Sequence, residues 1–279
     1  MKDKLKKYAE LIVEIFGTEK VYYNQSILDY LEIDKSKDGL RKGLYDEVNK
    51  IITESQHKIK GCFDCKDDYC NTRRKDVPFW VNDLDDKIMI IAQDPGEYAY
   101  EEHKNQDISE GLATPLAADL FLIERDEKYV WYKYLCSDKG LGIDVEKLYI
   151  TDISKCRDGL PKKCVKYLEK ELCIVKPQTI IVMGREALNA FKIMVKKGLI
   201  QFNKPLDNNI ISQLHGEIKE CTIYCEEEAF KTSVLFMLHL SNANQNSWKL
   251  LLKRKNFESK DNAIEELRDK INDLIKRKK

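Results

Sequence analysis

Four short apolar runs constrain the fold of this chain more than any other feature. They cover residues 87–92, 147–151, 179–183 and 234–238. Each has the length of a strand and is apolar almost throughout, which is typical of strands covered on both faces. Helical patterns separate the runs, at 116–135, 161–174 and 185–197. This alternation predicts an α/β fold with a central parallel four-stranded sheet and helices on both faces.

The flanks of this region have helical patterns. Residues 1–56 are interpreted as an N-terminal helical segment with stretches at 1–35 and 39–56, residues 57–252 as the main domain, and residues 253–279 as a charged C-terminal helix. No apolar run approaches the ~20 residues that a membrane span needs, and no signal-peptide core follows the N-terminus. We therefore expect a cytoplasmic protein. The 48 basic and 48 acidic side chains neither favour nor exclude a nucleic-acid partner, since a local basic face is enough to bind phosphates.

Polar side chains stand where the predicted strands end. Gln93 and Asp94 follow the first strand, Asp152 the second and His239 the fourth. In open α/β sheets, ligands bind beyond the carboxyl ends of the strands. Turns also favour Asp for purely structural reasons, but three such ends together favour a cleft in which carboxylates and an imidazole serve acid–base or electrostatic catalysis.

Four motifs appear in a particular order along the chain. They read "AQDPGE" at 92–97, "TDISKCR" at 151–157, "VKPQTIIVMGREAL" at 175–188 and "HLSN" at 239–242. In this order and spacing the chain resembles the uracil-DNA glycosylase superfamily over roughly residues 60–252, and it is most similar to the iron–sulfur branch, often called family four. The resemblance implies a monofunctional DNA glycosylase, which hydrolyses the N-glycosidic bond of a flipped-out base and leaves an abasic site.

The resemblance also implies roles for single residues. Asp94 stands at the water-positioning carboxylate and His239 at the histidine that stabilises the departing base, which matches the positive charge that develops on the sugar and the negative charge on the base. Leu240 replaces the proline that follows this histidine in the family. DNA is the implied partner, with no protein partner and a monomer expected. Contacts to its backbone are assigned to Lys155, Arg157, Ser241 and Asn242, and His215, where the family has an arginine, is expected to line the groove.

Asp152 departs from the family, which has at this position an asparagine that reads the base. An amide matches uracil, whereas a carboxylate accepts from the amino group of cytosine, and a protonated one could also donate to N3. Gly96 leaves room at C5 of the base, and Gln93 completes the base-binding set. These residues indicate a modified cytosine, with defence against viral DNA as a setting. Alternatives are a uracil-DNA glycosylase of base-excision repair, a non-catalytic nucleic-acid-binding relative, and an unrelated thiol–metal protein of a redox class.

The chain has nine cysteines, and disulfides are not expected in a reducing compartment. By the resemblance, a [4Fe–4S] cluster is held by Cys62, Cys65, Cys156 and Cys164. Cys173 is an alternative fourth ligand, Cys70 could replace one of the first pair, and zinc is an alternative metal for the same thiolates. The other three are expected to be buried or inert: Cys136, Cys221 and Cys225.

Overall fold

A computed structural model describes 15 helical residues at the N-terminus and most of the chain beyond residue 131. The described residues are 2–16, 47, 50, 51, 53–55, 79–81, 88–93, 132–144, 148–155, 161–206, 210–240 and 244–277. The α-helices are α1 Lys2–Phe16, α2 Pro161–Val175, α3 Arg185–Lys196, α4 Ile211–Leu214, α5 Gln245–Lys255 and α6 Lys260–Arg277. The strands are β1 Phe79–Val81, β2 Ile88–Ala92, β3 Leu148–Asp152, β4 Thr179–Met183, β5 Ile200–Phe202, β6 Ile218–Tyr224 and β7 Ala229–Met237. A turn of π-helix covers Tyr132–Cys136.

The strands form one mixed sheet in the order β1-β3-β2-β4-β7-β6-β5. Its central block, β3-β2-β4-β7, is parallel and consists of the four strands that the sequence predicts. The prediction of a four-stranded parallel sheet is nevertheless wrong in extent, because β1 pairs antiparallel with β3 at one edge and β6 and β5 continue antiparallel from β7 at the other. The added strands are short or only half-buried, so they lack the continuous apolar pattern of the central block.

The parallel block is the centre of the core. Every residue of β2, β3 and β4 is buried, which requires cover on both faces of the sheet. The register pairs Ala92 with Asp152 and Met183 with Met237. The carboxyl ends of the four parallel strands therefore lie level along one rim of the sheet.

The helices pack in two groups. In the first, α1 lies against α2 and α2 against α3, and the buried face of α1 contains Tyr8, Leu11, Ile12 and Ile15, as its helical period predicts. In the second, the predicted charged tail forms two helices, α5 and α6, with a left-handed residue at Asn256 between them. Helix α6 buries Ala263, Ile264, Leu267 and Ile271 in the same core as the sheet. No helix among the described residues is long and apolar enough to cross a bilayer.

A disulfide joins Cys173 of α2 to Cys225 at the end of β6, with a Cα–Cα distance of 5.8 Å. The expectation that this chain forms no disulfides is therefore wrong, and so is the interpretation of Cys225 as inert. Both residues lie at intermediate depth, and the β6–β7 hairpin brings them together from positions 52 residues apart. Three other described cysteines are not in disulfides: Cys136, Cys164 and Cys221.

We expect Cys225→Ser to lower the free energy of unfolding by about 2–4 kcal/mol under oxidising conditions, because the bond closes a long loop in the unfolded chain. Urea denaturation with and without a reductant measures this. The reductant should lower the stability of the parent by the same amount and leave the variant unchanged. A variant as stable as the oxidised parent would contradict the expectation.

Candidate active site

The rim begins where β2 and β3 end side by side. Hydrogen bonding continues past the strands, since the Ile153 N–H donates to the Ala92 carbonyl at 3.1 Å and the Ser154 N–H donates to the Gln93 carbonyl at 3.0 Å. This pairing places Gln93, which is exposed, next to Asp152, which is only 2% exposed. The rim of the sheet thus holds one buried carboxylate beside an open edge. Asp94 follows Gln93 directly and Gly96 comes two residues later, and both lie outside the described residues.

A buried ion pair lies directly behind Asp152. The Lys155 ammonium donates to Glu171 Oε2 at 2.7 Å, to Thr151 Oγ1 at 2.7 Å and to the main-chain carbonyl of Asp152 at 2.5 Å. The side chains of Lys155 and Glu171 are 2% and 0% exposed. The prediction that Lys155 contacts a DNA phosphate does not agree with this burial. Its ammonium instead fixes the turn that follows β3.

The Glu171 carboxylate also accepts hydrogen bonds from hydroxyl groups of β3. Thr151 donates to Glu171 at 3.0 Å, and the Tyr149 hydroxyl lies 3.3 Å from Glu171 and 2.9 Å from the Tyr8 hydroxyl of α1. Burial raises the pKa of the Glu171 carboxyl, and the Lys155 ammonium opposes that shift. Burial, followed by the charge of Glu171, raises the pKa of Tyr149 well above its usual range, so this phenol remains a donor. The network ties the N-terminal helix to the strand that ends in Asp152.

His239 stands at the other end of the rim, two residues beyond β7. Burial, together with the nearby Lys260 ammonium, lowers the pKa of this imidazole to about 4, so it is neutral near pH 7. The end of β4 lies close by, because the Gly184 N–H donates to the Met237 carbonyl at 3.0 Å. Gly184 has φ 90° and ψ 174°, a conformation that is essentially restricted to glycine. A Cβ there would meet the Cβ of His239 at 3.4 Å, an ordinary contact, so the backbone conformation and not the space requires glycine.

His215 does not line a groove, contrary to expectation. It is 1% exposed, and its Nδ1 accepts a hydrogen bond of 3.0 Å from the Leu238 N–H. Burial and the charges of Lys255, Lys270 and Arg254 lower its pKa to about 3. A neutral imidazole that accepts at Nδ1 carries its proton on Nε2. His215 therefore supports the chain just before His239.

The structure brings together, along one rim, the ends of all four parallel strands that sequence patterns singled out. The predicted site residues outside the described residues are Cys62, Cys65, Asp94, Gly96, Cys156, Arg157, Ser241 and Asn242. Cys164 lies in the first turn of α2, buried and not in a disulfide. Sequence reasoning assigned no role to Glu171, Trp248 or Lys260. In the sequence each is a polar or aromatic residue within a helical pattern. Such a pattern does not show which residue of another element the side chain contacts.

The chain matches the model of one known protein family. Residues 78–268, well over half of the chain, match the family model of the uracil DNA glycosylase superfamily. The chain belongs to this superfamily. No curated protein sequence matches the chain significantly. Members of the superfamily are in general DNA glycosylases, and the mixed α/β sheet with polar residues along its carboxyl rim is the corresponding architecture. The match extends beyond residue 252 into α6, so it includes the helix that carries Lys260.

We expect Lys155→Met to lower the free energy of unfolding by about 3–5 kcal/mol, because it leaves the Glu171 carboxyl buried without its cation. Lys170→Met is the matched control. Lys170 stands next to Glu171 on α2, and the pair that it forms with Glu14 is half-exposed. Its loss should cost less than about 1 kcal/mol. Urea denaturation of both variants measures the difference. Equal effects would show that the buried pair contributes no more than the exposed one.

Proposed function

We propose that this protein is a monofunctional DNA glycosylase that hydrolyses the N-glycosidic bond of a modified cytosine and leaves an abasic site. The observation that carries the proposal is the buried carboxylate of Asp152 at the rim of the sheet, where the superfamily reads the flipped base. Base flipping is required because the bond cannot be reached inside a duplex. The superfamily supplies the reaction class, and Asp152 supplies the choice of base.

The choice of base follows from hydrogen-bonding groups. Cytosine presents an amino donor where uracil presents an acceptor, and a carboxylate accepts from that donor. Asp152 is 2% exposed, so a base that leaves its carboxylate without a donor meets a large desolvation penalty. Mismatched buried polar groups of this kind can discriminate by about 10⁴-fold or more. Gly96, which adds no side chain, and Gln93 form the rest of the proposed base site and leave space for a substituent at C5.

The proposed mechanism divides the developing charge between two residues. Asp94 stabilises the positive charge on the sugar and orients the attacking water. His239 donates a hydrogen bond to the base oxygen as negative charge builds up there. The lowered pKa of His239, about 4, supports this role, because a neutral imidazole donates without first losing or gaining a proton. His239 lies at the rim that holds Asp152, and Asp94 follows Gln93 directly in the sequence, which supports a single site for a base and its sugar.

DNA contacts are proposed for the segments on either side of the rim. Arg157 follows the turn that Lys155 fixes, and Ser241 and Asn242 follow His239. Backbone contacts of this kind position the duplex without reading its sequence. We propose that the protein acts as a monomer. Bulky cytosine modifications occur in viral DNA, which makes defence against such DNA the proposed setting.

A [4Fe–4S] cluster is proposed on Cys62, Cys65, Cys156 and Cys164. Four thiolates are the usual ligand set for such a cluster, and zinc is the alternative for the same set. Cys164 fits this position because it is buried and not in a disulfide, whereas Cys173 does not fit because it is bonded to Cys225. The cluster, when bound, would hold the Cys-rich loop, the turn after β3 and the start of α2 together. It would supply no redox chemistry, since glycosidic hydrolysis transfers no electrons.

We expect the protein to release modified cytosine from DNA and to spare uracil. Mass spectrometry of the released base and alkali-labile abasic sites measure this on DNA that contains uracil, cytosine, 5-hydroxymethylcytosine or glucosylated 5-hydroxymethylcytosine. Asp152→Asn should reverse the preference towards uracil, because the amide restores a donor to the site.

Asp94→Asn is the control for the reaction itself. It should abolish base release and retain DNA binding, measured by fluorescence anisotropy. Release of uracil alone by the parent would identify a repair uracil-DNA glycosylase and contradict the assignment of Asp152. If the parent binds DNA but releases no base, the protein is a non-catalytic relative.

We expect anaerobically purified protein to contain about four iron and four sulfide per chain, with broad visible absorption. Cys164→Ser should lose most of this iron, and Cys173→Ser should retain it. Elemental analysis of the two variants and the parent tests the assignment. One zinc per chain in place of iron would support the alternative metal, and iron lost from Cys173→Ser alone would contradict the ligand set.

A further inference from the structure

Three side chains hold three consecutive residues around His239. The Leu238 N–H donates to His215 Nδ1 at 3.0 Å, Trp248 Nε1–H donates to the His239 carbonyl at 2.9 Å, and the Lys260 ammonium donates to the Leu240 carbonyl at 2.9 Å. These side chains come from the turn after α4, from α5 and from α6. We name His215, Trp248 and Lys260 the His239 clamp. Every bond in it is made to the main chain, so it fixes the path of the chain on both sides of His239.

The members of the His239 clamp also contact one another. The rings of His215 and Trp248 meet edge to face at 5.1 Å between centroids. The Lys260 ammonium lies 5.0 Å from the ring centre of Trp248 and 4.0 Å from that of Tyr134. Aromatic faces attract a cation at such distances, and this attraction offsets part of the cost of withdrawing the ammonium from water. Burial lowers the pKa of Lys260 to about 8, which means that placing the ammonium here has a desolvation cost.

The two C-terminal helices support the clamp from behind. Lys255 of α5 donates to the His215 carbonyl at 2.6 Å, and Lys270 of α6 donates to the Gly216 carbonyl at 2.9 Å. The turn that carries His215 is therefore anchored to both helices. Trp248 and Lys260 stand on the same two helices, so one helical pair fixes every element of the clamp.

We propose that the His239 clamp is a positioning device for His239. The bond from Lys260 to the Leu240 carbonyl restrains the main chain directly after the imidazole, and the bond from Leu238 to His215 restrains it directly before. The proposal rests on the proposed function, in which His239 stabilises the departing base. It assigns to α5 and α6 a part in catalysis rather than the role of a solvated tail.

Lys260→Met tests the clamp, because methionine retains the length of the side chain and removes the donor. We expect the single-turnover rate of base release to fall about 10-fold or more, since small displacements of a catalytic group have effects of this size, with the dissociation constant for DNA unchanged. Trp248→Phe, which removes only the donor and retains a ring, should act in the same direction. Lys260→Arg retains a cation and a donor and should restore most of the rate. Lys276→Met is the matched control, an exposed lysine of the same helix, and should match the parent.

A second readout does not depend on activity. The chain has four histidines, so the imidazole signals can be assigned by NMR and followed with pH. Lys260 is the charged side chain that acts on His239 among the described residues, and its removal should raise the pH at which His239 titrates above that of the parent. Lys276→Met should leave this titration unchanged.

The two readouts separate failure of the clamp from failure of the proposed function. If the parent releases no base from any DNA, the proposed function is wrong, and the titration alone then tests the clamp. Loss of the neighbouring charge alone raises the titration in Lys260→Met, so the deciding variant is Trp248→Phe, which removes a clamp donor but no charge. An upward shift in Trp248→Phe, as a displaced imidazole gains solvent, supports the clamp, and an unchanged titration in that variant overturns it. In an active parent, an unchanged single-turnover rate, or a rate loss explained by weaker DNA binding, also overturns the clamp.

Discussion

A sheet buried on both faces is the constraint on which the rest of this structure depends. Because helices and loops cover β2, β3 and β4 completely, a polar side chain within a strand needs a partner inside the protein. At the end of a strand, a polar side chain can instead face solvent or a ligand. Parallel strands in register put these ends together, so the chemistry of the chain collects along one rim. Asp152 and His239 are functional candidates because the sheet leaves few other positions where such side chains can face a ligand.

Behind the rim, two largely buried side chains hold the main chain of a rim residue in the same way. Lys155 donates to the main-chain carbonyl of Asp152, and Trp248 donates to the main-chain carbonyl of His239. In both places the bond comes from a residue near in sequence, three residues on for Lys155 and nine residues on for Trp248. Fixing the backbone restricts a functional side chain without occupying its hydrogen-bonding groups. Each place also buries a cation, Lys155 in one and Lys260 in the other. Glu171 offsets the desolvation cost of Lys155, and aromatic rings offset that of Lys260.

The sequence predicts the elements that depend on continuous apolar patterns, and it does not predict partners across elements. The strand at 179–183 was predicted to the residue, whereas β5 and β6 were missed because half-buried, alternating residues resemble surface segments. The rim residues followed from strand ends and from the resemblance. Lys155 was misassigned, because a lysine beside an arginine in a motif resembles a phosphate contact, and only the fold brings Glu171 to it from α2. The disulfide of Cys173 depends in the same way on a hairpin that the sequence pattern did not reveal.

The clamp and the buried carboxylate answer related demands of the proposed reaction. A base that is recognised by one buried acceptor is discriminated only if that acceptor cannot move to suit another base, and Lys155 supplies this rigidity behind Asp152. A neutral histidine contributes to catalysis only if its N–H lies where charge develops, because preorganised donors avoid reorganisation during the reaction. Hydrogen bonds from three elements hold the main chain around His239. In the proposed reaction, this gives α5 and α6 a part in placing the donor.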